Sequence, residues 1–173
     1  RAMISQQSFT SPIWQQVRKR TKAQKTAGLT GGEGWQRIMD ITYAPSNPNI
    51  AYLVTDTNQV WKSSDSGTSW EKKSSGFSAN GGLSVVVDPT NANIAYVAGS
   101  YSGNWTEQEG TAEGIYRTAD GGATWTKVKA VHFHHQLGGN NFAFAGSAIY
   151  AGPDTGGLLK STNGGIAWNL VSQ

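Results

Sequence analysis

Cysteine is absent from the 173 residues, so no disulfide supports the fold, and thiol chemistry leaves the compartment open. Long apolar runs are missing too. No stretch approaches the ~18 apolar residues of a transmembrane helix, and no secretory leader is visible. Charged residues are sparse, at 14% of the chain. The chain has instead 22 glycines and seven tryptophans. That balance suits many short strands joined by tight turns and argues against a helical protein. The length is enough for one domain with a real core. The chain opens at Arg1 rather than Met, which suggests a processed chain or a piece of a longer one.

The net charge of +3 is unevenly spread. Residues 1–37 hold seven Lys or Arg against one Glu, whereas the remainder holds seven against ten Asp or Glu. The basic excess gathers at Arg18, Lys19, Arg20, Lys22 and Lys25. No aromatic platform accompanies it, so it reads as a solvated connector and not as a nucleic-acid surface.

One eight-residue pattern is written three times: SSDSGTSW at 63–70, TADGGATW at 118–125 and STNGGIAW at 161–168. The copies are spaced by 55 and then 43 residues, in or near the range of propeller blades. Each is preceded by an apolar pair and a base: Val60-Trp61-Lys62, Ile115-Tyr116-Arg117 and Leu158-Leu159-Lys160. Upstream lie NIAYLVTD (49–56), NIAYVAGS (93–100) and SAIYAGPD (147–154), and before the first two come DITYAPSNPN and SVVVDPTNAN. Each unit therefore reads as four short strands, with the repeated pattern at the turn into the fourth.

Within the pattern, Asp65, Asp120 and Asn163 stand at the corner, where short polar side chains accept hydrogen bonds from free turn N–H groups. Ser63, Thr118 and Ser161 are placed to bond across the same turn. Gly67, Gly122 and Gly165 supply backbone angles that a Cβ disfavours. Trp70, Trp125 and Trp168 carry large rings to bury between blades. All twelve are expected to hold the fold and to take no part in catalysis.

The pattern resembles the Asp-box, or BNR, repeat of sialidases, sortilin-type receptors and xyloglucanases. The second copy matches S/T-x-D-x-G-x-T-W fully, the first has Ser69 for Thr, and the third carries Asn163 and Ala167. The implied fold is all-β: a β-propeller segment with about three blades of four antiparallel strands. SPIWQQV (11–17) aligns with the fourth strands and reads as a lone N-terminal strand. Residues 1–34 then form the closing strand and basic connector, and the blades cover about 35–75, 76–130 and 131–173. Closed propellers have roughly 4–8 blades, so three call for further blades or other protein chains to complete the ring.

Within that group, GGEGW (31–35), DITYAPSNPNIAYLVTD (40–56) and GGLSVVVDPTNANIAYVAGSYSGNW (81–105) resemble the start of glycoside hydrolase family 74, over roughly residues 28–126. The resemblance implies an extracellular or cell-surface β-glucan hydrolase, and it makes Asp56, in Tyr-x-x-Thr-Asp, the general base of an inverting mechanism. That chemistry needs a second carboxyl ~6.5–9.5 Å away. In the family this acid lies in a second propeller, and none can be named here. Thr57-Asn58 also replaces the family's glycine pair after the Asp, so a turn role for Asp56 stands beside the catalytic one. Asp154, at the same position in the third unit, reads as a turn residue.

Trp35, Tyr101 and Trp105 do not repeat between units. They lie in Gly-rich loops and are candidates for stacking on sugar rings. Trp61, aligned with Tyr116 and Leu159, is expected to be buried. VHFHHQ (131–136) supplies two His on one face if it is a strand, too few for a zinc site. It stands where the third unit needs its first strand. Asn104-Trp105-Thr106 is a glycosylation sequon of a kind that chance also produces. No cofactor or metal is expected. Taken alone, the chain reads as a non-catalytic binding or assembly module related to carbohydrate, with the N-terminal part of a xyloglucanase-like hydrolase as the alternative.

Overall fold

The computed structural model describes residues 37–100, 112–133, 141–154 and 157–172, together with Thr26. These form three four-stranded antiparallel sheets. The first contains β1 (Ile38–Ala44), β2 (Asn47–Thr55), β3 (Val60–Ser63) and β4 (Glu71–Lys72), hydrogen-bonded in that order. The second contains β5 (Gly81–Asp88), β6 (Asn91–Ser100), β7 (Gly114–Thr118) and β8 (Thr126–Lys129). The third contains β9 (Phe142–Ala145), β10 (Ala148–Ala151), β11 (Leu158–Ser161) and β12 (Asn169–Ser172). Strand order follows chain order in every sheet, as in propeller blades. Among the described residues, no helix is long and apolar enough to cross a membrane.

Blades stack through alternate faces of the strands. Tyr52, Val54 and Val60 of the first blade pack on Val85, Val97, Tyr116 and Trp125 of the second. The other face of the second blade presents Tyr96, Ala98 and Ile115 to Phe142, Ile149, Leu159 and Trp168 of the third. Strand alternation makes this possible, since residues two apart share a face. Tyr52 pairs with Thr42 and Lys62 on one face of the first sheet, whereas Leu53 pairs with Ile41 and Trp61 on the other. Trp61, Tyr116 and Leu159 are all buried.

The first two blades approach closely at Gly81 and Gly82, the start of β5. A Cβ on Gly82 would lie 2.6 Å from Val54 Cβ, and one on Gly81 would lie 3.0 Å from the Asp56 carbonyl oxygen. Bulges follow at Ile38/Asp40 in β1 and at Gly82/Ser84 in β5. They set Asp40 and Ser84 at equivalent places on the two first strands. Asp40 Oδ2 accepts from Val85 N at 2.9 Å, and Ser84 Oγ bonds Asn141 Oδ1 at 3.1 Å. Each of these polar residues therefore ties its own first strand to the next blade.

Two details differ from the sequence reading. The third blade's first strand is Phe142–Ala145, and residues 131–133 form no strand. Phe133 is instead buried against Phe142, with ring centroids 6.4 Å apart. An apolar anchor outside the sheet thus fills the space under the third blade. The box tryptophans also stand just ahead of β4, β8 and β12 and not within them. All three rings are buried, Trp125 and Trp168 against the preceding blade and Trp70 against Ala51, Leu53 and Trp61 of its own.

Candidate functional site

The two ends of the blades do different work. Antiparallel order places the ends of β1 and β3 at one end, where the repeated boxes lie. The start of β1, the end of β2 and the start of β3 lie at the other.

At the box end the hydrogen bonding repeats. Ser63 Oγ donates to Asp65 Oδ1 at 2.8 Å and accepts from Gly67 N at 2.8 Å. Asp65 in turn accepts from Ser69 N at 2.8 Å and from Ser69 Oγ at 2.6 Å. Thr118, Asp120, Gly122 and Thr124 repeat this arrangement in the second blade. The Ser69 hydroxyl and N–H hold the Asp65 carboxyl at about 2, and those of Thr124 do the same for Asp120. In the third blade Asn163 Oδ1 accepts from Ser161 Oγ and Ala167 N, each at 2.9 Å. Asn and Ala have replaced Asp and Thr together: without the hydroxyl at 167, the second carboxylate oxygen has no donor to meet. These carboxylates are committed to turns, which leaves the box end without free acid–base groups on Asp65 and Asp120.

The opposite end carries Asp56. Its Oδ1 accepts from Arg37 N at 3.0 Å, and its own N–H donates to Arg37 O at 3.0 Å. The residue thereby clamps the start of β1 to the end of β2. Its second carboxylate oxygen has no donor among the described residues. The following turn is closed by Thr55, whose Oγ1 donates to Thr57 O at 2.9 Å and whose N–H donates to Gln59 O at 3.2 Å. Gln59 is buried and accepts from Trp61 Nε1 at 2.9 Å. Thr57 and Asn58 are therefore part of a tight connection in which the family's glycines are not needed for closure.

Two features of this end were missed in the sequence. Asp40 lines a cleft of about 340 Å³ between β1 and β5, with Met39, Thr42, Leu83 and Val86. Burial raises its carboxyl pKa, against the opposing effect of hydrogen bonds from Val85 N and Ile41 N. The available signal was alignment: Asp40, Ser84 and Asn141 occupy one repeat position. Glu113, just ahead of β7, is buried and paired with His132 Nδ1. His132 O also accepts from Asp154 N at 3.1 Å, so the connecting segment seals the second blade to the third. Ser100, at the repeat position of Asp56 and Asp154, is buried, and its hydroxyl has no hydrogen-bond partner among the described residues.

Trp35, Tyr101 and Trp105 lie outside the described residues, as do Trp14, the basic cluster and the sequon. Trp35 stands two residues before Arg37, and Tyr101 directly follows Ser100 at the end of β6. The segments bearing them thus join the sheets at the Asp56 end. Among the described residues there is no group of three or more His, Cys, Asp or Glu able to hold a metal ion.

This geometry agrees with comparison to known proteins. The sequence profile of the Sortilin-Vps10 family (sortilin, neurotensin receptor 3) matches residues 14–141, well over half of the chain. The chain belongs to the Sortilin-Vps10 family. Its blades are those of an Asp-box propeller, and they are also xyloglucanase-like. The chain is 29% identical over 166 residues to a xyloglucanase of Hypocrea jecorina (strain QM6a), covering 86% of this chain and 19% of that enzyme. It thus spans a small part of that relative's length. Among solved structures, the GH74 xyloglucanase of Xanthomonas campestris superposes with a TM-score of 0.60 at 19% identity, over 78% of this chain and 20% of that one. YCF48 from Cyanidioschyzon merolae superposes with a TM-score of 0.54 at 21% identity, over 81% of this chain and 38% of that one. These two likenesses concern the fold. They place this Sortilin-Vps10 chain on a scaffold shared by hydrolases and by proteins of other names, so its function has to be argued from its own surface.

Proposed function

We propose that this chain is a binding and assembly module of an Asp-box propeller, non-catalytic on its own, whose ligand is an extracellular polysaccharide of the β-glucan class. One observation carries the reading: Asp56 and the segments bearing Trp35 and Tyr101 meet the sheets at the same end of the blades. Sugar recognition uses flat aromatic faces with a few polar groups on a rigid frame, and the sequence puts aromatic residues in the segments that lead to and from this end. The non-catalytic reading is supported by how the carboxylates of this end are held among the described residues. Asp40 gives its oxygens to Ile41 N and Val85 N, and Glu113 is paired with His132. Neither is free to act as the second carboxyl of an inverting pair.

A second reading, the N-terminal part of an inverting β-glucan hydrolase, is favoured by one fact. Asp56 is only partly buried, and one of its oxygens has no protein donor among the described residues, as a base awaiting water requires. Affinity electrophoresis in gels containing xyloglucan, run beside a reducing-sugar assay, separates the two. Retardation without sugar release supports the binding module. Sugar release by this chain establishes the hydrolase reading, and neither retardation nor release removes the polysaccharide ligand.

A further inference from the structure

We infer that the groove between the second and third blades, at the box end, is a second sugar-binding subsite. It seats the C–H face of one pyranose unit on Val128 and Ile166 and takes the hydroxyls on Arg117, Asp120 and Thr126. The groove has a volume of about 310 Å³, at the small end of the range for ligand sites. It lies wholly between two described blades. Arg117 and Thr126 pair across β7 and β8 and so share the face turned to the third blade. Val128 packs at the margin of the core between these blades, and Ile166 of the third box forms the opposite wall.

The interface between the first two blades has the same frame and different residues in this place. Lys62 stands there for Arg117, Glu71 for Thr126, Lys73 for Val128 and Ala123 for Ile166. Lys62 uses its ammonium on Gly121 O at 3.0 Å, and Lys73 Nζ closes on Glu71 Oε1 at 2.8 Å. In the second interface Arg117 caps the box through Nε, which donates to Gly164 O at 2.7 Å. Its terminal amino groups donate to no carbonyl or carboxylate among the described residues. The ion pair has given way to neutral Thr126 and Val128, and alanine to Ile166, which is 62% exposed. Stacking does not require these changes, because the first interface forms without them.

Asp120 completes the set as an acceptor. Its carboxylate takes hydrogen bonds from Thr118 Oγ1, Thr124 N and Thr124 Oγ1, which leaves one of about four lone-pair sites. A sugar hydroxyl both donates and accepts. Neighbouring hydroxyls can therefore receive from the guanidinium and give to the carboxylate, while the ring's C–H face covers aliphatic carbon. The opposite charges of Arg117 and Asp120 cancel, which suits a neutral ligand. The ligand class rests on the polysaccharide reading; the site is a different one, at the other end of the blades from Asp56.

The test titrates cellotetraose, and separately a neutral tetrapeptide, into the isotope-labelled full chain and follows the amide shifts. Cellotetraose should move the amides of Thr124, Thr126, Val128 and Ile166. Ile166→Ala should weaken that binding about 3- to 10-fold, the effect of losing partly covered methylene groups. Thr126→Glu with Val128→Lys writes the ion pair of the first interface into the second. It should abolish the groove shifts and leave the melting midpoint near that of the parent. Groove amides that stay still while those of Arg37, Asp56 and Gln59 move overturn this inference and leave the polysaccharide reading standing. No movement at either end removes both. Movement with the tetrapeptide and not with the sugar also overturns the inference, as does parent-like affinity in both variants.

Discussion

The ring of Tyr96 lies against Gly165 in the place where a Cβ on that glycine would stand. The box glycine of the third blade is thus dictated by a tyrosine of the second, 69 positions earlier in the chain. Its φ of +73° already favours glycine, and the tyrosine adds a second, steric demand. Gly122 stands in the same relation to Tyr52, with a Cβ position 3.3 Å from Cε1. What reads in sequence as turn chemistry is also the socket for the neighbouring blade.

Gly165→Ala and Gly164→Ala should therefore differ. Both glycines have positive φ, at +73° and +68°, so both alanines pay about 1–2 kcal/mol of left-handed strain. Only Gly165 has the Tyr96 ring in the way, and overpacking there adds about 1–3 kcal/mol. Urea midpoints for the two variants check this. Equal losses would mean that the blades separate enough to admit a methyl.

Trp125→Ala should cost about 3–5 kcal/mol, as expected for a buried large aromatic. Trp125 is 3% exposed, packs on Tyr52 and donates from Nε1 to Lys73 O at 2.8 Å. Its loss opens the interface between the first two blades. Equilibrium unfolding gives the magnitude, and a loss under 1 kcal/mol would show that the interface is held elsewhere.

Acid should weaken the chain through two of its three boxes. Asp65 and Asp120 have carboxyl values lowered from 3.8 to about 2, by hydrogen bonds from the hydroxyls and N–H groups of Ser69 and Thr124. A depressed folded value means stability that is present above the unfolded pKa and lost as the pH falls through the folded one. The melting midpoint should therefore drop between about pH 4 and pH 2. Asp65→Asn with Asp120→Asn should flatten that drop, because the third box already manages with Asn163. An unchanged slope in the double variant would place the acid sensitivity in other groups.

Asp56→Asn distinguishes a clamp from a base. Asn keeps a carbonyl oxygen for Arg37 N, so the melting midpoint should hardly move. If the longer enzyme reading holds, reducing-sugar release from xyloglucan by a hydrolytically active parent should fall ~10²–10⁴-fold, the usual effect of losing a general base. Equal release by parent and variant would leave Asp56 as a structural residue.

Much of the architecture was legible because it is local and periodic. Box residues recur at fixed spacing, strands alternate between turn clusters, and the aligned Trp61, Tyr116 and Leu159 share one buried position. The third blade's first strand was harder to read. Phe142-Ala-Phe-Ala alternates large and small residues, but alanine is a weak strand former, and VHFHHQ at 131–136 stands where the third unit calls for its first strand. Of that segment's described residues, Phe133 is buried in the core and Val131 packs against it, outside any strand.

The sequence by itself determined the repeat, the four-strand blade and the turn that joins strands three and four, because hydrogen bonds within eight residues and a period-two pattern suffice for these. The tertiary structure alone decided which blade each group serves. Asp40 reaches Val85 N, Lys62 reaches Gly121 O, Trp125 reaches Lys73 O and Glu113 meets His132 across gaps that no motif spans. Those partners depend on how the sheets stack. Stacking is set by bulges, by close approach at Gly82 and by the volumes of facing side chains, and even where these recur from repeat to repeat the sequence of one repeat does not name the partner in the next.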